Sequence, residues 1–363
     1  MTYLHKGKVL DNGDTAFGEQ PVGSPEFTVF PGDDGLHVTE YNKGDYEWWY
    51  FDVADQASGV FLKIVMHIGT DPLRTRVFPQ LAISASVPGK SQHIIRPYAI
   101  RDLTADTDQC NIAIGKELRI RQVPGKYPLF HIKIELPRFR GSFKFSGTIE
   151  GWKPLGKEVH YGIGNRKASF SWVIPAPRAR VEGEFEIEHM RFTICNGIGY
   201  HDHNYLRVQR RHPLHLDELV SKWYWGKCYA GNYTVIFMDT HTRPQSLRSL
   251  MVAENNAIVY SANNLMDCEI ISQGFDSSLK VKYPETLRLS STDEEFPFQA
   301  VFEFDKILDH KDLLEEVNPL ARFLIKTLLA RPAYHGISAR VRMRIRDVEM
   351  TGYGNFESMI FRK

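Results

Sequence analysis

"EWWYFDVADQASGVFLKIVMH", residues 47 to 67, sets an aromatic triplet, a short turn and an apolar strand ending in histidine in one stretch. Residues 222 to 241, "KWYWGKCYAGNYTVIFMDTH", repeat that order. Trp48 to Trp223 is an offset of 175 and His67 to His241 one of 174. Such self-similarity at a long period is the signature of a duplicated unit. It predicts two copies of one β-domain, the second opening near residue 220, with chance likeness between two aromatic-rich strands as the competing explanation.

The surrounding chain supports the β assignment. From about residue 46 to residue 305, apolar and polar residues alternate in short runs broken by Gly, Pro, Asn and Asp, the pattern of half-buried strands. Val60 to His67, Phe130 to Leu136 and Val181 to Met190 are the clearest runs. Residues 1–45 read as an irregular arm, 46–218 as the first β domain and 219–363 as the second. With 363 residues the chain is long enough for two cores. Helical periodicity is confined to 309–331, where Leu313, Val317, Leu320, Leu324 and Leu328 form one stripe and Asn318-Pro319 suits a helix start. Two short helices are expected there, packed over a barrel mouth or between domains, or else lying on a membrane surface. In "SARVRMRIRDVEM", residues 338–350, four arginines alternate with Val341, Met343 and Ile345, which predicts a strand with a core face and an acid-paired or solvated basic face.

Composition narrows the function classes. A formal charge of +1 gives no general attraction to nucleic acid or anionic membranes. Four widely spaced cysteines without a CxxC pair argue against a zinc knuckle and a disulfide scaffold, and favour reduced thiols in a cytoplasmic setting. No stretch approaches the roughly 20 apolar residues of a bilayer span, and Met1 to Asp14 lack a secretory h-region. GxSxG and HExxH are missing, and Gly162-Ile163-Gly164 lacks the third glycine and the βαβ setting of a nucleotide site. No cofactor is implied.

The densest chemistry is "GYHDHNYL", residues 199–206. In an extended strand His201 and His203 share one face and Asp202 and Asn204 the other. A His-x-His pair can chelate a metal when a third ligand arrives, but nothing local supplies one, and no metal is expected. Acid/base or substrate-positioning work and a satisfied structural network remain the alternatives.

Taken together, "EWWYFD", "GYHDHN", "WYWG" and "GYGNFESM" resemble the carotenoid 1,2-hydratase (hydroxyneurosporene synthase) family and its AttH-like relatives, from about residue 40 to the end. The resemblance implies two lipocalin-like β-barrels in tandem. Known members hydrate an isolated isoprenoid double bond, and fungal relatives of the same architecture act as pericyclic cyclases. It also implies Asp239, at the end of Val235 to Asp239, as the proton donor and His203 as its partner. Tyr205 stands where the family usually has tryptophan and Phe237 where it usually has tyrosine, and Arg207 to His215 look inserted. These departures bear on the substrate more than on the reaction type.

Protonating an alkene needs a neutral acid in a dry site, and burial raises a carboxyl's pKa. The resulting cation needs aromatic walls. Trp48, Tyr50, Trp223 and Trp225, with Trp49 and Tyr224, are the sources, of which alternation lets about half face one pocket. Asp202 and His201 stand beside His203 as further acid/base residues, with Tyr205, Asn204 and Phe237 as substrate contacts. A barrel mouth or an interdomain cleft would hold the constellation. The expected partner is a hydrophobic small molecule: an isoprenoid, a polyene or a prenylated quinone. A non-catalytic carrier of such a molecule is the alternative from another class, and peripheral membrane contact through 309–331 is a further expectation.

Overall fold

The computed structural model describes residues 4–7, 20–21, 28–71, 74–156, 158–242, 246–314 and 332–361. The chain divides into two compact units, Pro25–Leu214 and a second made of His215–Lys363 with Met1–Ser24. Among the described residues each unit is one curled antiparallel sheet with a buried inner face, apart from a short parallel addition at one edge.

In the 25–214 unit, Tyr46–Asp55, Val60–Thr70, Val77–Val87 and Lys90–Pro97 form a meander. The free edge of Tyr46–Asp55 pairs with Met190–Val208, the last strand of the unit, and Arg166–Ile187 follows. The second unit repeats this plan. Val220–Ala230, Tyr233–Thr242, Ser246–Glu254 and Ala257–Asn263 form its meander, and Val220–Ala230 pairs on its other side with the closing strand Val348–Ile360. Alternation produces both cores. Trp49, Phe51 and Val53 face inward opposite Met66, Ile64 and Leu62; Tyr224 and Cys228 face inward with Val235 and Phe237.

The turn between the repeated strands has four residues in the first unit (56–59) and two in the second (231–232). Superposing equivalent faces therefore pairs Trp48 with Trp223, but it displaces the second strand of each hairpin, so His67 and His241 are not mates. His67 lies opposite Trp48 on the outer face, between the inward Met66 and Ile68. His241 lies on the inner face, four residues beyond Phe237.

Three expectations need correction. The arm is not irregular throughout: Leu4–Gly7 adds a parallel edge to Ala257–Asn263 and Gln20–Pro21 pairs with it in turn, contacts made by backbone and so invisible to side-chain periodicity. The run from Val181 to Met190 is broken by a turn at Glu188 and His189, both at positive φ (46 and 73°), which closes the hairpin of Arg166–Ile187 with Met190–Val208. Residues 309–312, expected to open a helix, end the strand Phe298–Asp312, where Asp309, His310, Lys311 and Asp312 pair with Gly336, His335, Tyr334 and Ala333. Cross-strand pairing overrides local helical preference there. The remainder of the expected helices, 315–331, and the membrane contact assigned to them lie outside the described residues. Among the described residues no helix is long and apolar enough to cross a membrane. The basic strand behaves as its alternation predicts: Val341, Met343 and Ile345 are buried, and Arg342 pairs with Glu303 at 2.6 Å.

Candidate functional site

Met190–Val208 lies between Arg166–Ile187 and Tyr46–Asp55, so both faces of "GYHDHNYL" meet other side chains. Gly199 fits this place because an added Cβ would lie 2.4 Å from Val181 and 2.8 Å from the Asp52 carbonyl. His201, His203 and Tyr205 point into the unit; Tyr200, Asp202 and Asn204 point the other way.

Inside, the two histidines meet different acids. His203 Nε2 lies 2.8 Å from Glu47 Oε1, and its Nδ1 faces the Asp33 carbonyl at 3.1 Å. His201 Nε2 lies 3.0 Å from Asp34 Oδ2, and its Nδ1 faces the Tyr50 carbonyl at 3.0 Å. A neutral imidazole has one N–H and one acceptor nitrogen. With oxygen opposite both nitrogens, each pair holds one proton more than a neutral imidazole beside a carboxylate. Glu47 also accepts the His37 and Val38 amides at 2.8 and 2.7 Å, so its oxygens act as acceptors and His203 as the double donor. The bonds from His203 and His37 outweigh burial, which alone would push the Glu47 carboxyl up, and leave it below its ordinary value. Both imidazoles are fully buried; Trp49 stacks on His203 at 4.5 Å and Phe51 on His201 at 3.7 Å. Tyr205 stacks on His37 at 4.0 Å. Two donor sets could hold a metal here, Asp34 with Cys110 and His201, and Glu47 with His37 and His203. The His-x-His pair is thus divided between two clusters rather than converging on one centre. Burial first, and then the Asp34 carboxylate, raise the Cys110 thiol well above its ordinary range.

The outer face carries a second polar cluster. Tyr50-x-Asp52 and Tyr200-x-Asp202 run antiparallel, with Tyr50 opposite Asp202 and Asp52 opposite Tyr200. Tyr50 donates its hydroxyl to Asp52 at 2.9 Å. Asp202 Oδ2 accepts from Tyr200 at 2.7 Å and from Trp172 Nε1 at 3.2 Å, and Oδ1 accepts from Asn204 at 2.9 Å. Trp48 lies opposite Asn204 on this face.

In the second unit, Asp239 follows the inward Val235 and Phe237 and is 1% exposed. Its surroundings are not apolar, which corrects the expectation of a carboxyl held neutral by greasy walls. Arg248, directly across on Ser246–Glu254, donates Nε to Oδ1 at 3.2 Å, and His241 Nε2 lies 3.1 Å from Oδ2. Cys268 and Tyr224 share the neighbourhood. Burial, then Asp239, raise the Cys268 thiol; burial, then Cys268 and Asp239, push the Tyr224 hydroxyl up to about 12. Phe237 is fully buried in the core, with its ring 5.4 Å from Phe302. Trp223 and Trp225 alternate with the inward Tyr224 and face outward, Trp225 with Lys227 Nζ 5.3 Å from its ring and Trp223 with Phe361 at 5.5 Å.

The candidate residues therefore fall on four faces. Asp34, Glu47, Asp52, Tyr200 and Arg248 belong to these clusters and were not singled out from the sequence. The repeated Tyr-x-Asp at 50–52 and 200–202 was a usable signal for two of them; the others depend on strand partners and on the arm, which no local spacing reveals.

No protein-family model matches the chain. A curated hydroxyneurosporene dehydrogenase of Chlorobaculum tepidum is 23% identical over 249 residues, 57% of this chain and 61% of that protein. The chain thus matches less than two thirds of that relative's length. Among solved structures, an AttH-like protein of Nitrosomonas europaea superposes with a TM-score of 0.63 at 13% identity, covering 93% of this chain and 98% of that one. Kievitone hydratase of Nectria haematococca gives 0.60 at 11% identity over 99% and 98% of the two chains. CghA with Sch210972 gives 0.57 at 13% identity over 93% and 97%. At such identities the likeness shows the fold: two lipocalin-like β units in tandem.

Proposed function

We propose that the chain is a cofactor-independent enzyme that binds an apolar isoprenoid or polyene-type small molecule and delivers a proton to one of its carbon–carbon double bonds, followed by capture of water or by ring closure. Asp239 carries the reading. It is shielded from solvent and engaged by a guanidinium on one oxygen and an imidazole on the other, at the end of a strand whose preceding inward residues, Val235 and Phe237, are apolar. Arg248 fixes the carboxylate, the carboxylate orients His241, and His241, with its side chain 27% exposed, is the group that can reach a bound molecule. The proton then comes from His241 rather than from Asp239 itself. An imidazolium is a weaker acid than a carboxylic acid, which favours a double bond polarised by conjugation over an isolated one. Tyr224, opposite Asp239 on the inner face with its ring 6.2 Å from His241, is the substrate-contacting aromatic of this reading, whereas Trp223 and Trp225 face the other side of that sheet and Trp48 and Tyr50 belong to the other unit. The hydratase name among the fold's relatives supports it without fixing the substrate.

The saturated bonding of His201 and His203 favours a second reading, a non-catalytic carrier in which "GYHDHN" only holds structure. One experiment separates the two. Small molecules retained by the purified protein are identified by mass spectrometry, and the protein is then incubated with them in deuterated water. Carbon-bound deuterium in the product supports the enzyme, and Asp239→Asn and His241→Gln should keep the ligand while turnover falls by about 100- to 10,000-fold, the usual worth of general acid catalysis. Binding without any product, unchanged in both variants, selects the carrier.

A further inference from the structure

A cluster remote in sequence from every residue assigned above joins three strands of the second unit. His310 and His335 are direct cross-strand partners on Phe298–Asp312 and Ala333–Ile345, so their side chains leave one face of the sheet together. Asp276, at the end of Met266–Asp276, meets both. Its Oδ2 lies 2.7 Å from His310 Nδ1 and 3.1 Å from His335 Nε2. The other oxygen is tied down, accepting the Ser278 amide and hydroxyl at 2.8 and 2.6 Å and the Leu279 amide at 3.0 Å. One face of His335 is covered by the Tyr283 ring at 5.3 Å.

The backbone leaves a gap at the same place. Val281–Ser291 pairs with Phe298–Asp312 only from Thr286 opposite Glu303 to Ser290 opposite Gln299. Beyond that, the tip of the hairpin bearing Asp276 and the strand ends bearing His310 and His335 share no ladder, and Phe298–Asp312 twice slips register against Ala333–Ile345. The carboxylate–imidazole cluster bridges that gap.

We propose that Asp276, His310 and His335 bind a divalent transition-metal ion of the zinc class, which clips the hairpin tip to the strand ends. Two imidazole nitrogens, which are borderline donors, together with one carboxylate oxygen suit zinc, whereas calcium and magnesium require oxygen shells. The three donor atoms already lie within 4.8 Å of one another. Tetrahedral zinc would space them roughly 3.3 Å apart, given metal–ligand bonds of about 2.0–2.1 Å, so small side-chain movements complete the site. The side chain of His310 is 43% exposed while those of Asp276 and His335 are 5% and 1% exposed, which gives the ion an entrance and leaves a fourth position for water. By contrast, the donor sets around His201 and His203 lie in the polar network of the first unit.

The test uses the full chain, stripped with a chelator and titrated with zinc chloride against a chromophoric competitor. Uptake of one equivalent, with a tetrahedral visible spectrum when cobalt replaces zinc, is expected. His310→Ala, which removes little packing, should weaken zinc binding about 100-fold and abolish the zinc-dependent rise in melting temperature. Cys195→Ser, which removes an exposed thiol, should change neither. The proposal is overturned if the wild type takes up no stoichiometric zinc, if His310→Ala binds it as well as the wild type, or if uptake follows Cys195 instead.

Discussion

His203 and Glu47 form a buried pair, 2.8 Å between Nε2 and Oε1 with both side chains at zero exposure. The pair anchors the arm as well as the strands, since Glu47 also holds the His37 and Val38 amides and His203 holds the Asp33 carbonyl. Removing one member of a buried charged pair strands the other and costs about 3–5 kcal/mol, whereas replacing both by apolar residues recovers much of the loss. Glu47→Gln should therefore destabilise the protein by about 3–5 kcal/mol in urea unfolding, and the double replacement Glu47→Leu with His203→Leu should not recover the loss in full, because the His37 and Val38 amides lose their acceptor. The pH dependence follows from the Glu47 carboxyl, held below its ordinary 4.5 by bonds that outweigh burial. A carboxyl lowered in the folded chain stabilises it above the unfolded value, and that contribution is lost as pH falls through the folded one. The gap between wild type and Glu47→Gln should accordingly narrow below about pH 4.5, and a gap that stayed constant would refute the assignment.

Asp45 should behave in the opposite sense. Burial pushes its carboxyl up to about 6, against the Val208 and Asn42 amides that it accepts at 2.8 and 2.7 Å. A carboxyl raised in the folded chain contributes stability that is present below its unfolded 3.8 and is lost as pH rises through the folded value. Asp45→Asn removes the titration. The melting-temperature advantage of wild type over this variant should shrink between pH 4 and pH 7, and carbon-detected NMR should show the Asp45 carboxyl titrating near 6.

The sheets were legible because alternation, aromatic repetition and turn residues all point the same way. Trp48 and Trp223 hold equivalent places in two sheets of the same plan, although the shorter second turn puts His67 and His241 on opposite faces. The motif glycines were legible as motif but not as cause. Gly226 of "WYWG" makes room for two phenylalanines, since an added Cβ would meet the Phe237 ring at 2.6 Å and the Phe356 Cβ at 2.7 Å. The opposed faces of Asp202 and His203 also follow from period two. What each faces does not. Asp34 reaches His201 across 167 positions and Arg248 reaches Asp239 from the neighbouring strand, so the electrostatic character of both sites is set by strand pairing, which one sequence does not display. The run of valine, isoleucine, phenylalanine and methionine before Asp239 describes its strand and not its neighbours.

The Tyr-x-Asp pairs offer the sharpest check on the outer face of the first unit. Asp202 accepts three bonds, from Tyr200, Trp172 and Asn204, all from buried side chains. Converting it to asparagine replaces one acceptor oxygen by a donor and leaves at least one buried donor without a partner, a loss of about 1–3 kcal/mol for each group stranded. Tyr200→Phe removes one donor and should cost only about 1 kcal/mol, because Asp202 keeps its other partners. If the bonds form one network, the double variant will be less damaged than the sum of the single ones, with a coupling of about 0.5–3 kcal/mol by urea unfolding. Strict additivity would mean that Asp202 is held by something other than these donors. Because Asp239 lies in the other unit, these substitutions should also leave the effect of Asp239→Asn on turnover unchanged in proportion, a comparison that distinguishes a supporting role for Asp202 from a share in the proton transfer itself.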